Sequence, residues 1–296
     1  MSYEYLALLA AACWATGSLL SAPAAVHLGA FSFTRWRMFL AATVLWSMVL
    51  FTGSWQTLDP ANAGLLALSG LIGIFVGDTA LFASMNRLGP RRAGVLFATH
   101  SLFSVVLAWF WLGETLWGFT LIGSSMLISG VMIAVFFGKR NSEQHQWESN
   151  QGNLTAGVIL GLLAALCQAV ATLMLKPLME TDIDAIAASA VRMTAAFTAH
   201  FCLLAAGLKV ARSYQPVNKR IFTLVLVNTL LSMVLGMTLI LQALKYGDAG
   251  MVAVLSSVSP VIILPLLWVV YKKSPAAGAW AGALLTVTGT VLILLS

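Results

Sequence analysis

The sequence predicts an all-α membrane protein in which ten transmembrane helices form two inverted repeats of five helices. Three observations support this fold class. Sixty per cent of the 296 residues are hydrophobic and only 9% are charged, whereas about 25% of residues are charged in soluble proteins. Ten apolar runs have the length that a bilayer-spanning helix needs. Landmarks of the first half recur in the second half at a nearly constant separation.

The elements follow from runs of about 20 mostly apolar residues, the length that crosses the hydrocarbon core. The predicted spans are 4–26, 33–52, 64–86, 91–112, 116–137, 153–176, 184–207, 221–243, 249–271 and 275–295. The longest connection, 138–152, is polar. It separates a first repeat at 1–137 from a second repeat at 153–296. Since little sequence remains outside the membrane, function is expected within the helix bundle.

The composition excludes several classes of protein. Disorder needs low hydrophobicity, whereas the mean hydropathy here is +0.92. Three cysteines are too few for a disulfide scaffold. The net charge of +6 fits basic cytoplasmic loops, so no nucleic-acid partner is expected. No cofactor or metal is predicted, because the sequence contains neither a GxxxxGK[ST] loop nor an HExxH motif.

The internal repeat is visible at several positions. The segment 9–15, LAAACWA, matches 163–169, LAALCQA, at a separation of 154 residues. Arg37 matches Arg192 at 155, and Ala93-Gly94 matches Ala249-Gly250 at 156. Each half then holds five spans. Because five is odd, the second half must enter the membrane from the opposite side, which is the inverted-repeat architecture of many transporters.

The basic residues predict the orientation. Twelve Lys and Arg residues fall in connections 1–2, 3–4, 5–6, 7–8 and 9–10, whereas the other connections and the termini carry only Lys176 and Lys245. Cytoplasmic loops carry the excess of positive charge. Both termini are therefore expected on the non-cytoplasmic side of a cell (inner) membrane, with the chain a monomer or a homodimer.

The sequence resembles the drug/metabolite transporter superfamily, in its ten-span form with two EamA-type domains. The residues that carry the resemblance are Trp14 in the first span, RMFLAA at 37–42, GDTALF at 77–82, NRLG at 86–89, WLGET at 111–115, VRM at 191–193, QALKYGDAG at 242–250 and SSVSP at 256–260. The second half departs from the pattern, with Tyr271-Lys272-Lys273 in place of the LGE ending. The resemblance implies secondary transport, often efflux, of small metabolites such as amino acids. It also implies that spans one, three and four line a cavity with spans six, eight and nine.

Charged side chains within spans need a use or a partner, because each costs about 2.5–3.5 kcal/mol on insertion scales. Asp78, in the third span, is a candidate for binding substrate and for coupling transport to protons. Its alternative role is a structural ion pair with Arg37 or with a loop arginine. Arg37 and Arg192 occupy matching places in the two halves. They could bind a carboxylate or phosphate by paired hydrogen bonds, or they could form a duplicated structural contact.

Other polar residues are further candidates for substrate binding. Trp14 and Gln168 are repeat equivalents in spans one and six, and His100 and Ser101 lie in span four. Ser256 and Ser257 precede Pro260 in span nine, where proline leaves a carbonyl without its helical partner. Asn228 on span eight completes the set. Each also has a structural alternative, in which a neighbouring helix satisfies the polar group.

Three functional hypotheses follow. The leading one is a secondary transporter of small solutes that works by alternating access and uses protons through Asp78. The second is a flippase for lipids or lipid-linked sugars, which would need a basic pocket for the headgroup. The third, an intramembrane enzyme, is disfavoured because no nucleophile–base pair or metal-ligand motif is present.

Overall fold

The computed structural model describes residues 2–115, 117–136, 153–271 and 276–295, and all regular structure in these ranges is helical. The predicted loop 138–152 lies outside the described residues. The helices are α1 Tyr3–Leu28, α2 Ala30–Thr52, α3 Pro60–Leu88, α4 Pro90–Ala98, α5 His100–Leu112, α6 Gly118–Phe136, α7 Leu154–Met179, α8 Ala185–Ala205, α9 Lys219–Tyr246, α10 Ala249–Ser256, α11 Ser259–Tyr271 and α12 Ala277–Leu294.

Eight of the described helices are long and apolar enough to cross a membrane, when α4 with α5 and α10 with α11 are each taken as one. The protein is therefore a multi-pass membrane protein. The predicted count of ten spans stays a prediction. The helix α2 is not among the eight, because Arg35 and Arg37 lower its hydropathy, and α6 counts as a shorter apolar helix over Gly118–Ala134.

The third predicted span of each half contains wider, π-helical turns. They cover Leu71–Asp78 in α3 and Thr229–Gly236 in α9, 158 residues apart. The next span of each half is interrupted, at Thr99 between α4 and α5 and at Ser257-Val258 between α10 and α11. These irregularities occur at matching places, so the repeat extends to local backbone structure. Such π-helical turns are frequent at functional sites.

Two pairs of equivalent helices, α2 with α8 and α6 with α12, pack against each other across the halves and run antiparallel. Between α2 and α8, Trp46 Nε1 donates to Thr194 Oγ1 at 2.8 Å, while Phe39 meets Phe197 at 5.4 Å between ring centroids. Between α6 and α12, a Cβ at Gly123 would meet Gly289, and one at Gly130 would meet Gly282. In both pairs, residue numbers rise on one helix as they fall on the other.

Contacts between non-equivalent helices also follow one pattern in both halves. The helix α1 packs along α9, and α7 packs in the same way along α3. Cys13 of α1 would touch a Cβ at Gly236, and Cys167 of α7 would touch a Cβ at Gly77. Glycine at both places lets the helices approach closely. Trp14 and Asn228 lie at the α1–α9 interface, and Gln168 and Asp78 lie on the helices of the α7–α3 interface.

Contacts between connections define the two ends of the bundle. At one end, Arg35 Nη1 donates to the carbonyl of Ala211 at 2.6 Å, and Asn86 Nδ2 donates to that of Ala25 at 3.1 Å. At the other end, Tyr3 lies against Gly247. The amide of Asp184 there donates to Thr57 Oγ1 at 3.0 Å. The α1–α2 and α3–α4 turns thus share an end with the basic α8–α9 linker, and the amino terminus lies at the opposite end.

Candidate functional site

A buried ion pair joins the first half's two charged candidates. Nη1 of Arg37 on α2 lies 3.2 Å from Oδ2 of Asp78 on α3. The Arg37 side chain is 3% exposed and that of Asp78 is 13% exposed. The guanidinium also lies over the rings of Phe33 and Phe82, 5.2 and 4.9 Å from their centroids. The sequence left open whether Asp78 would pair with Arg37 or with a loop arginine. In the structure its partner is Arg37.

The local structure of α3 places the Asp78 carboxylate. Asp78 is the last residue of the π-helical stretch, and Gly77 beside it packs against Cys167 of α7. A π-helical turn is wider than an α-helical turn, so it changes the direction in which the following side chains point. The irregular turn and the close glycine contact together fix the carboxylate beside α2.

Arg192 of α8 differs from its repeat equivalent in its partners. Its side chain is 1% exposed; Nε donates to Ser69 Oγ at 3.1 Å, and Nη1 contacts the sulfur of Met237 at 3.0 Å. Neither partner is charged. Arg192 contacts α3, the helix that carries Asp78, at Ser69 and Gly73, while Oδ2 of Asp78 is bonded to Arg37. The three residues form a central cluster, which we define as Arg37, Asp78 and Arg192.

Trp14 and Asn228 meet at the α1–α9 interface. Trp14 Nε1 donates to the carbonyl of Ser232, inside the π-helical stretch of α9, at 3.0 Å. Asn228 Nδ2 donates to the carbonyl of Gly17 at 2.7 Å, and its Oδ1 is buried without a hydrogen-bond partner. Gln168, the repeat equivalent of Trp14, contacts only its neighbour Thr172, at 3.5 Å, among the described hydrogen bonds.

The remaining candidates lie at the two helix interruptions. Ser101 Oγ donates to the carbonyl of Ala98 at 3.0 Å, and the ring of His100 lies 5.2 Å from that of Phe97. Ser256 and Ser257 donate to carbonyls three residues earlier. Ser259 Oγ donates to the carbonyl of Ser256 at 3.1 Å. In a regular helix the N–H of residue 260 would bond this carbonyl, but Pro260 has no N–H. No hydrogen bond among the described residues links either interruption to the central cluster.

His200 is a further buried residue beside the central cluster, and the sequence analysis did not select it. Its Nε2 lies 3.2 Å from Oγ1 of Thr79, the residue after Asp78, and Nδ1 is buried without a hydrogen-bond partner. The rings of Phe75 and Phe31 enclose it edge-on at 4.8 and 5.9 Å. In the sequence, the feature that could have indicated His200 is a histidine within the apolar span 184–207.

Glu114 is the second residue that sequence reasoning left unassigned. Its Oε1 and Oε2 accept the backbone N–H groups of Ala249 and Gly250, each at 2.8 Å. Burial raises the pKa of the Glu114 carboxyl, and the two N–H groups oppose that effect. Glu114 thus joins the end of α5 to the start of α10, across the two halves. Its membership of the WLGET motif was the signal for a role.

The chemistry of the central cluster suits reversible binding of anions and protons. Guanidinium groups donate paired hydrogen bonds to carboxylates, and a carboxylate inside a membrane can carry a proton. In the part of the chain that the structure describes, no group of three or more His, Cys, Asp or Glu side chains is placed to hold a metal ion.

Comparison with known proteins identifies the family. A sequence model of the EamA-like transporter family matches residues 1–136 and 155–295. A solved structure titled "Crystal structure of protein" superposes with a TM-score of 0.77 at 18% identity, over 99% of this chain and 96% of that chain, which shows a shared fold. No protein of curated function matches the sequence significantly. Because the family model covers nearly the whole sequence in two repeats, this chain belongs to the EamA-like transporter family.

Proposed function

We propose that the protein is a secondary active transporter of small organic solutes, driven by protons and directed outward. The observation that carries the proposal is the central cluster, in which charged groups from both halves are buried within a membrane bundle. Such groups are expensive in the membrane and typically mark substrate and proton pathways. Membership of a transporter family supports the same function.

The proposed mechanism is alternating access between two inverted five-helix repeats, at 1–137 and 153–296, joined by the loop 138–152. The antiparallel packing of α2 with α8 and of α6 with α12 supports inversion of the repeats. Inverted repeats rock against each other about a site near the membrane midplane. Because Arg37 and Asp78 belong to the first repeat and Arg192 to the second, relative movement would change the distances within the central cluster.

Asp78 is the proposed proton carrier. Its carboxylate is the only acidic partner of Arg37 among the described contacts, so protonation of Asp78 would break the ion pair. The side chain retains 13% exposure, which is compatible with proton exchange. One proton crossing 100 mV releases about 2.3 kcal/mol, which is sufficient for tens-fold accumulation of a solute without ATP. We assign Trp14, His100, Ser101, Gln168, Asn228, Ser256 and Ser257 to the lining of the substrate pathway.

The test uses metabolite profiles of cells that overproduce the wild type or the Asp78→Asn variant, followed by uptake of the altered metabolite into proteoliposomes under an imposed pH gradient. We expect Asp78→Asn to lose gradient-driven accumulation and to keep solute exchange. The matched control is Asp59→Asn, the same change at the amino-terminal cap of α3, where asparagine is an equally good cap. Full gradient-driven transport by Asp78→Asn would refute the coupling role. Wild-type vesicles that move only labelled headgroup lipids would instead support a flippase.

A further inference from the structure

We infer that Arg192 binds the carboxylate of the transported solute, and that this solute is a monoanionic organic acid rather than a zwitterion. The inference rests on the proposed transport function and specifies its substrate class. Three features of Arg192 carry it: its lack of an acidic partner, the charge of the central cluster and the unused Nη2 donor of its guanidinium.

Arg192 is a buried cation with neutral hydrogen-bond partners only. Its two described contacts are the hydroxyl of Ser69 and the thioether of Met237, and a thioether sulfur is a weak acceptor. Its Nη2 has no acceptor among the described residues. A buried charge is strongly unfavourable unless it is paired and hydrogen-bonded. The guanidinium therefore lacks the anionic partner that its burial demands.

The charge count gives the number of missing negative charges. The central cluster contains two guanidinium groups and one carboxylate, and the carboxylate of Asp78 is bonded to Arg37. A further ion pair joins Lys176 to Glu180, away from the central cluster on a different helix. With Asp78 ionised, the cluster carries one excess positive charge. A monoanion would neutralise it, whereas a zwitterion would leave the excess unchanged.

The packing around Arg192 leaves Nη2 as an unused donor beside α3. A Cβ placed on Gly73 of α3 would lie 3.4 Å from Nη2 and 2.7 Å from the Cβ of Ala171, so glycine at 73 lets the α3 backbone pass close to the guanidinium. A carboxylate bound at the guanidinium could accept from two nitrogen atoms of the fork. On α2, Nε of Arg37 is also buried without a hydrogen-bond partner and offers a further donor within the cluster. A carboxylate oxygen would also be a much better acceptor for Nη1 than the Met237 sulfur.

The first test measures the thermal stability of the purified full-length protein without solute. We expect Arg192→Met to raise the melting temperature, because it removes an uncompensated buried charge at similar side-chain length. The control Arg35→Met removes the same charge at the end of the bundle, where Arg35 is held by the Ala211 carbonyl, and we expect no rise. A fall in melting temperature for Arg192→Met larger than that for Arg35→Met would contradict an unpaired charge and overturn the inference.

The second test measures binding of matched probes to the same proteins by thermal shift. We expect benzoate to stabilise the wild type and the neutral isostere benzamide not to do so. The expected affinity for benzoate falls at least tenfold in Arg192→Met, falls less in Arg192→Lys and is unchanged in Arg35→Met. Arg192→Lys keeps the positive charge but lacks the planar fork of arginine. It therefore tests the role of Arg192 even if Arg192→Met fails to fold.

The outcomes separate this inference from the proposed function. Equal responses to benzoate and benzamide, no response to either, or stabilisation by zwitterionic phenylalanine but not by benzoate would each overturn the monoanion assignment. Benzoate binding that survives Arg192→Met would overturn the role of Arg192. Under any of these results, gradient-driven transport by the wild type would still stand. Absence of all solute movement by wild-type vesicles would instead refute the proposed function.

Discussion

Glu114 caps a helix that begins 135 residues further along the chain. The cap residue of α10 in sequence is Asp248, whose side chain makes no capping hydrogen bond. Glu114 instead accepts from the N–H groups of Ala249 and Gly250. A carboxylate at a helix amino terminus is favourable because the first N–H groups lack partners within the helix. A single side chain at the end of α5 thus stabilises the start of an element in the other half.

Replacing Glu114 with alanine should lower stability by about 0.5–2 kcal/mol, the usual cost of losing an amino-terminal cap. The measurement is the melting temperature of the detergent-solubilised protein. The matched control is Glu180→Ala, since the Glu180 side chain is 57% exposed and its buried partner Lys176 keeps a hydrogen bond to the carbonyl of Leu244; we expect a smaller loss of stability there. A larger loss of stability in Glu180→Ala than in Glu114→Ala would contradict the capping role.

The pH dependence of stability should reveal the same carboxyl group. Burial raises the pKa of Glu114 above its ordinary value of 4.5, so the folded protein binds the proton more tightly than the unfolded chain. The contribution of Glu114 to stability should therefore fall as pH rises from 4.5 through the raised pKa. We expect melting curves of Glu114→Gln to lack this decrease when compared with the wild type. Identical pH profiles for the two proteins would disprove the shift.

At the scale of elements, the position of α3 depends on small residues at defined places. Gly70 packs directly on the backbone of Arg192, so a side chain there would clash with the Arg192 carbonyl oxygen. Gly64, on the same helix, has nothing within 4 Å of the corresponding position. The close approach at Gly70 is also what places Ser69 beside the Arg192 guanidinium. The helix contact and the central cluster thus depend on each other.

Gly70→Ala should destabilise the protein, because overpacking against rigid backbone costs about 1–3 kcal/mol. Gly64→Ala should be neutral or stabilising by up to about 1 kcal/mol, because alanine is the better helix former. Thermal unfolding of the two variants tests both expectations. If Gly70→Ala were as stable as Gly64→Ala, the close packing of α3 on α8 would be wrong.

At the scale of the whole molecule, the described connections sort into two ends of unlike charge. The end that holds the α1–α2, α3–α4 and α8–α9 connections carries basic residues in these connections and in the helix ends beside them, among them Arg35, Arg87, Arg92, Lys209, Arg212, Lys219 and Arg220. The opposite end carries the amino terminus and Glu114. Since the positively charged end of a membrane protein faces the cytoplasm, the charge difference predicts which way the bundle stands in the membrane.

Fusions of a reporter to either terminus should place it on the non-cytoplasmic side. An alkaline-phosphatase fusion should be active and a fluorescent-protein fusion dark, whereas fusions within 209–220 should show the reverse. Both termini lie on the same side only if the number of spans is even, so the paired result also tests the count of ten. A fluorescent carboxyl terminus would refute the proposed orientation.

The sequence alone predicted an all-helical membrane protein with a duplicated architecture, and its family assignment is confirmed. These properties depend on residue type and on position along one chain. Apolar length is matched to the bilayer, basic residues mark one side, and a repeat is visible as a constant separation. The count of ten spans stays a prediction, since arginines within α2 reduce its hydropathy although one face of this helix is buried.

Only the tertiary structure decided which polar groups meet. From sequence, Asp78 could pair with Arg37 or with a loop arginine, and Arg37 and Arg192 looked equivalent. In the packed structure the Asp78 carboxylate of α3 pairs with Arg37 of α2, whereas Arg192 of α8 contacts only neutral hydrogen-bond partners. The cap formed by Glu114 on α10 is likewise a contact between distant residues. The rotation of one helix against another depends on the fit of all surrounding side chains, and no local pattern in the sequence encodes it.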